Sequence, residues 1–167
     1  MGTLVLFGVM EIEILRGWLF QRKGFCGSPS TVLEGDELNI IEKGFNYGWP
    51  KITYGINYIG TKITDYTHLE GMEQPIWHWT PSIAICGIKV YENDLIPSWN
   101  GDILVTSLKY EFLERVIIKN GKRVGSEKIY DADSRVRDVE VCPKGVIYVA
   151  LEDPGRIVKI FPFSKDF

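Results

Sequence analysis

The feature that most limits what this chain can fold into is an internal repeat. "GDILVTSLKYEFLERVIIK", from Gly101, resembles "GVIYVALEDPGRIVKIF", from Gly145. Each copy holds a glycine, a β-rich run, a loop, an arginine and a second β-rich run. The glycines stand 44 positions apart in the sequence. A period of roughly 40–50 residues with about four strands per unit is the signature of a β-propeller blade. From about residue 75 onward the rest agrees. "AICGIKVY", "ERVIIKNGKRVGSEKIY" and "VRDVEV" are short apolar or alternating runs punctuated by Gly, Asn, Asp and Pro. Asn120-Gly121 between two such runs marks a hairpin. The expected fold is all-β with about three blades, fewer than the four or so a propeller ring needs to close.

Residues 1–33 read differently. "MEIEILRGWLFQRKGF" shows no strand alternation and "CGSPSTV" reads as loop, so a boundary is expected near Glu34. The two expected regions are an atypical segment, 1–33, and a partial propeller, 34–167. No apolar run reaches the roughly 18 residues of a membrane-spanning helix. The apolar start lacks a basic region and meets acidic residues at once, unlike a signal peptide. A net charge of -3 gives no reason to expect nucleic acid or a membrane surface as partner. The three cysteines, Cys26, Cys86 and Cys142, are far apart and form no CxxC pair, so three buried thiols are expected.

Four stretches carry chemistry. In "SRVRDVEV", Arg135 and Arg137 share one strand face and Val136 takes the other. Two like charges side by side suit water, or an anion held between them. Guanidinium groups bind carboxylates through paired hydrogen bonds, so this face is a candidate site for a multiply charged carboxylate. Lys109 closes "GDILVTSLK" at a strand end, the place where propeller loops line the central pocket. In "PIWHWTPSIAICG", Trp77 and Trp79 share a face on which a flat ligand stacks, or else they are core or rim aromatics. His78 points the other way and reads, like His68, as a structural histidine. In "GDELNIIEKGFNYGWP", Glu37 is a candidate hard oxygen ligand, with carbonyls of the following turn completing a calcium site. The alternative is that Asp36 and Glu37 are solvated turn acids.

These stretches, "GDELNIIEKGFNYGWP", "WTPSIAICG", "GDILVTSLK" and "SRVRDVEVCPKGVIYVALED", resemble the soluble pyrroloquinoline quinone (PQQ)-dependent aldose sugar dehydrogenases, the glucose/sorbosone dehydrogenase family. The likeness is collinear from about Gly35 to Pro162. It implies a six-bladed β-propeller with PQQ over the central channel and a requirement for calcium. The implied reaction oxidises the C1 hydroxyl of an aldose to a lactone, with the electron acceptor unassigned. It implies that Lys109, Arg135 and Arg137 are cationic contacts to PQQ, a tricarboxylate. Trp79 or Thr80, with Ser82, falls beside the cofactor. Glu37 and the carbonyl of Tyr47 fall at a structural calcium ion.

The departures from the family are as informative. The chain corresponds to the C-terminal part, and the catalytic histidine, which takes the sugar hydroxyl proton, belongs to the missing N-terminal half of the propeller. No catalytic residue is therefore assigned. The "RNPQG" and "EHGP" segments are absent from the frame as written. Starting the codons of "MEIEILRGWLF" one base earlier permits "G(N/D)RNPQGLAF", and "FCGSPSTV" likewise permits "LWESEHG". Residues 1 to about 33 are thus expected to be a frame-shifted translation, with the family sequence resuming near Gly35. The leading expectation is a PQQ sugar dehydrogenase fragment that is inactive alone. A calcium-dependent lactonase-type propeller and a non-catalytic propeller remnant are the alternatives. Family members are commonly periplasmic or secreted; no localisation is assigned to this chain.

Overall fold

The computed structural model describes residues 32–57 and 59–162. The atypical segment expected over 1–33, and Cys26 within it, lie outside the described residues, apart from Val32 and Leu33. Among the described residues the only regular elements are eleven β-strands and one 3-10 turn, Pro97–Trp99. The strands are β1 (Val32–Glu34), β2 (Asp36–Leu38), β3 (Ile56–Asn57), β4 (Trp77–Trp79), β5 (Ile85–Val90) and β6 (Ile103–Ser107). They continue with β7 (Phe112–Lys119), β8 (Lys122–Asp131), β9 (Val136–Val141), β10 (Ile147–Leu151) and β11 (Arg156–Ile160). The chain divides between Ile85 and Cys86 into two compact units.

In the first unit, β1 pairs with β3 and β2 with β4, in two two-stranded sheets. The β2–β4 register sets Asp36 opposite Trp79, Glu37 opposite His78 and Leu38 opposite Trp77. Side chains alternate between faces along a strand. Asp36, Leu38 and Trp79 are accordingly buried on one face, and Glu37 and His78 meet on the other.

In the second unit a four-stranded sheet runs in chain order, β5-β6-β7-β8, and a three-stranded sheet in the order β11-β10-β9. The first is a complete up-and-down blade, and the second repeats it with three strands among the described residues. The repeat glycines do the same job in each. Gly101 and Gly145 take φ of 88° and 80°, a left-handed conformation that side-chain-bearing residues avoid. At Gly145 a Cβ would also meet Asn93 Oδ1 at 2.2 Å. The predicted hairpin is present: Asn120 and Gly121, at φ 52° and 71°, join β7 to β8 with Lys119 opposite Lys122.

The core of this unit is Tyr91, Leu104, Leu113, Val136, Val139, Ile147, Val149 and Leu151, drawn from both sheets. Burying such side chains stabilises each by about 1.5–3 kcal/mol. The Tyr91 hydroxyl donates to the Gly145 carbonyl at 2.9 Å, so its one polar atom is paired. Gly87 on β5 faces Asp138 of β9, where a Cβ would lie 2.8 Å from the Asp138 Cα. The missing side chain lets the inner strands of the two sheets approach.

Cys86 and Cys142 are free and half-buried rather than buried. Each lies one place from a strand residue that is fully or partly sheltered, so the thiols sit at the margin of the core.

Candidate functional site

The arginine pair is in the second unit. Val136 is fully buried, while Arg135 and Arg137 are exposed. The alternation read from the sequence therefore holds at the start of β9. It then breaks, because Arg137 and Asp138 are both exposed and Val139 is again buried. The cause is a β-bulge. Asp138 pairs with Ala150, but the next pair is Val136 with Leu151, so Arg137 is an extra residue. Bulges re-aim side chains and bend a strand end.

The bulge also brings Glu152 level with Arg135, whose carbonyl accepts from the Glu152 N–H at 3.0 Å. The Glu152 carboxylate then bridges the pair. Oε1 accepts from Arg137 at 2.7 Å and Oε2 lies 3.7 Å from Arg135. An anion does sit between the two cations, and it is the protein's own. Arg137 holds the carboxyl of Glu152 below its ordinary range. The Cys86 thiol is bonded to Arg137, yet burial pushes its pKa up, so this cysteine is not activated.

Lys109 lies beyond the end of β6, in the exposed loop to β7, with Nζ 5.1 Å from the centre of the Tyr110 ring. The Tyr110 N–H donates to Ser107 Oγ at 3.0 Å, and its ring stacks on Phe112. The loop is thus pinned, and the ammonium is held by attraction to an aromatic face.

The first unit holds the remaining candidates. Asp36 is 4% exposed and accepts from Ser82 Oγ at 2.8 Å and from Ile83 N at 2.9 Å. Burial still raises its pKa. Ser82 Oγ in turn accepts from Ala84 N at 3.0 Å. The hydroxyl proton of Ser82 is therefore committed to fastening the segment after β4 onto β2. Thr80 is exposed, with its Oγ1 3.3 Å from His78 Nδ1. Trp79 is buried and edge-on to Trp77, 6.4 Å between centres. Its shared face with Trp77 is real, and it packs inward.

The reading of Asp36 and Glu37 as solvated turn acids is corrected. They lie in a strand, where one is buried and the other half-buried. Glu37 accepts from Tyr54 N at 3.4 Å, and loss of water pushes its pKa up to about 7. Its neighbour across the strands, His78, stacks on Tyr54 with ring centres 4.0 Å apart, and burial lowers its pKa. His78 is the structural histidine expected. Tyr47 is anchored through its hydroxyl, which donates to the Ile40 carbonyl at 2.8 Å and accepts from Glu42 N at 2.7 Å. No group of three or more His, Cys, Asp or Glu side chains is placed to hold a metal ion among the described residues. No helix among the described residues is long and apolar enough to cross a membrane.

A family model described as "Glucose / Sorbosone dehydrogenase" matches residues 32–159, most of the chain. The chain belongs to the glucose/sorbosone dehydrogenase family. The aldose sugar dehydrogenase YliI of Escherichia coli strain K12 is 38% identical over 133 residues, 77% of this chain and 36% of the relative. A crystal structure of a glucose dehydrogenase is 33% identical with a TM-score of 0.73, covering 81% of this chain and 40% of that one. The PQQ-bound aldose sugar dehydrogenase of Streptomyces coelicolor shares the fold at 22% identity and a TM-score of 0.57, over 80% and 38% of the two chains. The chain spans about a third of the length of the curated relatives it matches. Its fold class, like that of these family structures, is the all-β propeller.

Sequence reasoning missed Glu152 and the Cys86 contact. The signal for Glu152 was the acid at the end of "YVALED", on the strand that returns beside "SRVRDVEV".

Proposed function

We propose that this chain carries the cofactor-contact part of a PQQ-dependent sugar dehydrogenase that oxidises the C1 hydroxyl of an aldose to a lactone. The observation that supports this best is the convergence of Arg135 and Arg137 on one carboxylate. The donor chemistry fits the group: two planar forks on one exposed face suit a carboxylate of a tricarboxylate ligand. Lys109, a point charge on a pinned loop, suits another carboxylate. PQQ, when bound, supplies the oxidant.

The other residues have supporting roles in this reading. Trp79 or Thr80 lies beside the cofactor. Ser82 acts there through Asp36, since its proton is already used. Glu37, with the Tyr47 carbonyl, holds calcium. A half-buried carboxyl with its pKa raised by desolvation gains most from a divalent cation, because the cation restores the charge that burial disfavours. None of the chain's assigned residues serves as the general base that takes the sugar hydroxyl proton. His78 is stacked on Tyr54 and held by packing.

The test is a PQQ titration of the full chain, followed by absorbance or tryptophan fluorescence, with calcium present. Arg137→Ala is expected to weaken binding by about tenfold, the usual worth of a charge-assisted hydrogen bond. Dye reduction with glucose and added PQQ is expected to stay at background. Unchanged PQQ affinity in Arg137→Ala removes the cofactor reading. Robust turnover shows that the chain contains its own base.

A further inference from the structure

We infer that Glu152 is a built-in competitor for the anion-binding edge of Arg135 and Arg137, and so determines which anions that pair accepts. The inference rests on the reading of this pair as the carboxylate contact of the cofactor site.

Three features separate this cluster from an ordinary surface ion pair. One carboxylate serves two guanidinium groups, at 2.7 and 3.7 Å. The Glu152 backbone is fastened at that spot by its N–H to the Arg135 carbonyl, 3.0 Å away. The bulge at Arg137 is what sets Glu152 level with Arg135, on the face the two forks share. The carboxylate is therefore tethered, and a tethered group competes at an effective concentration of about millimolar or more. A free anion with a single charged group, such as inorganic phosphate, must displace it with no other anchor. A ligand with several carboxylates also gains contacts elsewhere, so it can win the exchange.

The pair is accessible for that exchange. The side chains of Arg135, Arg137 and Glu152 are 60%, 44% and 36% exposed. The looser contact, to Arg135, leaves that fork the easier of the two to recruit. Glu152 thus lowers affinity by the same factor for every anion that must displace it, a loss that a ligand with several carboxylates can absorb and a lone phosphate cannot.

The test compares the full chain with Glu152→Gln and Arg137→Ala, at constant ionic strength and with thermal melts as a check on folding. Two readouts are used: PQQ affinity, and the arginine Nε–H NMR signals during titration with inorganic phosphate alone. Glu152→Gln is expected to bind PQQ about threefold to fivefold more tightly, on the scale of one exposed ion pair. Phosphate is expected to shift the Arg135 and Arg137 signals at about threefold to fivefold lower concentration in Glu152→Gln than in the parent. Equal or weaker PQQ binding by Glu152→Gln overturns the inference, as does an equal phosphate response in the parent. If Arg137→Ala leaves PQQ affinity unchanged, the cofactor reading fails, and the phosphate titration still decides the role of Glu152.

Discussion

Two arginines, one in each repeat, stand at different points of the strand after the loop and end in opposite environments. Arg115, on β7, is 8% exposed and donates from Nε to Asp102 at 2.7 Å, from an NH group to Glu127 at 2.7 Å and to the Ser98 carbonyl at 3.2 Å. The ring of Trp99 lies 4.7 Å from its guanidinium carbon. Arg156, on β11, is exposed and pairs with Asp133 on the surface. Two things differ: the register position of the arginine and the residue after the repeat glycine. Asp102 follows the first repeat glycine, and Val146 follows the second. Where the aspartate is present it is fully buried, and it also accepts from Ile118 N at 2.9 Å. It draws the arginine inward. In the second repeat Val146 offers no anion, Lys159 holds the register position of Arg115, and Arg156 stands three residues earlier, opposite Leu151. Arg135 and Arg137 are a third case: exposed, paired, and held toward one point. An arginine on a blade strand becomes structural or ligand-facing according to where its carboxylate lies.

The largest effect is expected from Asp102→Ala. It leaves a buried guanidinium with Glu127 at the rim and the neutral Ser98 carbonyl, and it removes the acceptor for Ile118 N. Breaking a buried ion pair from one side costs about 3–5 kcal/mol. Urea unfolding midpoints measure it. A loss below about 1 kcal/mol would show that Arg115 reaches water without Asp102, and the contrast with Arg156 would collapse.

Next is Glu37, a carboxyl that has lost water and gained no arginine. Its folded pKa, about 7, lies above the ordinary value near 4.5. The folded state then binds the proton more tightly than the unfolded chain. Between these values stability falls as pH rises, and the loss is complete above about pH 7. The size is on the order of 3 kcal/mol. Without calcium, Glu37→Gln should therefore be more stable than the parent at pH 8 and no more stable at pH 4. With calcium the order at pH 8 should reverse, because only the carboxylate gains from the ion. Melting curves at the two pH values, with and without calcium, report this. A parent curve flat across the range would mean that Glu37 is solvated.

Much of this was legible in the chain. The repeat, the Asn120-Gly121 hairpin and the strand character of every run after residue 75 follow from period and turn chemistry, which are local. The burial of Val136 between two exposed arginines follows from strand alternation. The bulge does not. Counting back from the turn between β9 and β10 with an unbroken register sets Glu152 opposite Val136, pointing away from the arginines. Only the extra residue at Arg137 moves it level with Arg135. Asp36 was misread for a related reason. Beside Gly35 and Glu37 it looks like a turn acid, and its partners, Ser82 and Ile83, are 46 and 47 residues away. Long-range hydrogen bonds that satisfy a buried acid leave no local trace.

The smallest effect is the sharpest check on the repeat comparison. Arg156→Ala removes an ion pair whose two side chains are 40% and 69% exposed. Arg156 holds the pKa of Asp133 below its ordinary value. A depressed carboxyl pKa gives stability that is present above the unfolded value and lost as pH falls through the folded one. In water and salt this coupling is largely screened. Arg156→Ala should therefore leave the unfolding midpoint within error at pH 7. It should still raise the Asp133 titration midpoint, read by NMR of the side-chain carboxyl. A large loss of stability would place Arg156 in the same structural class as Arg115. It would mean that a surface carboxylate can fix a blade arginine as firmly as a buried one.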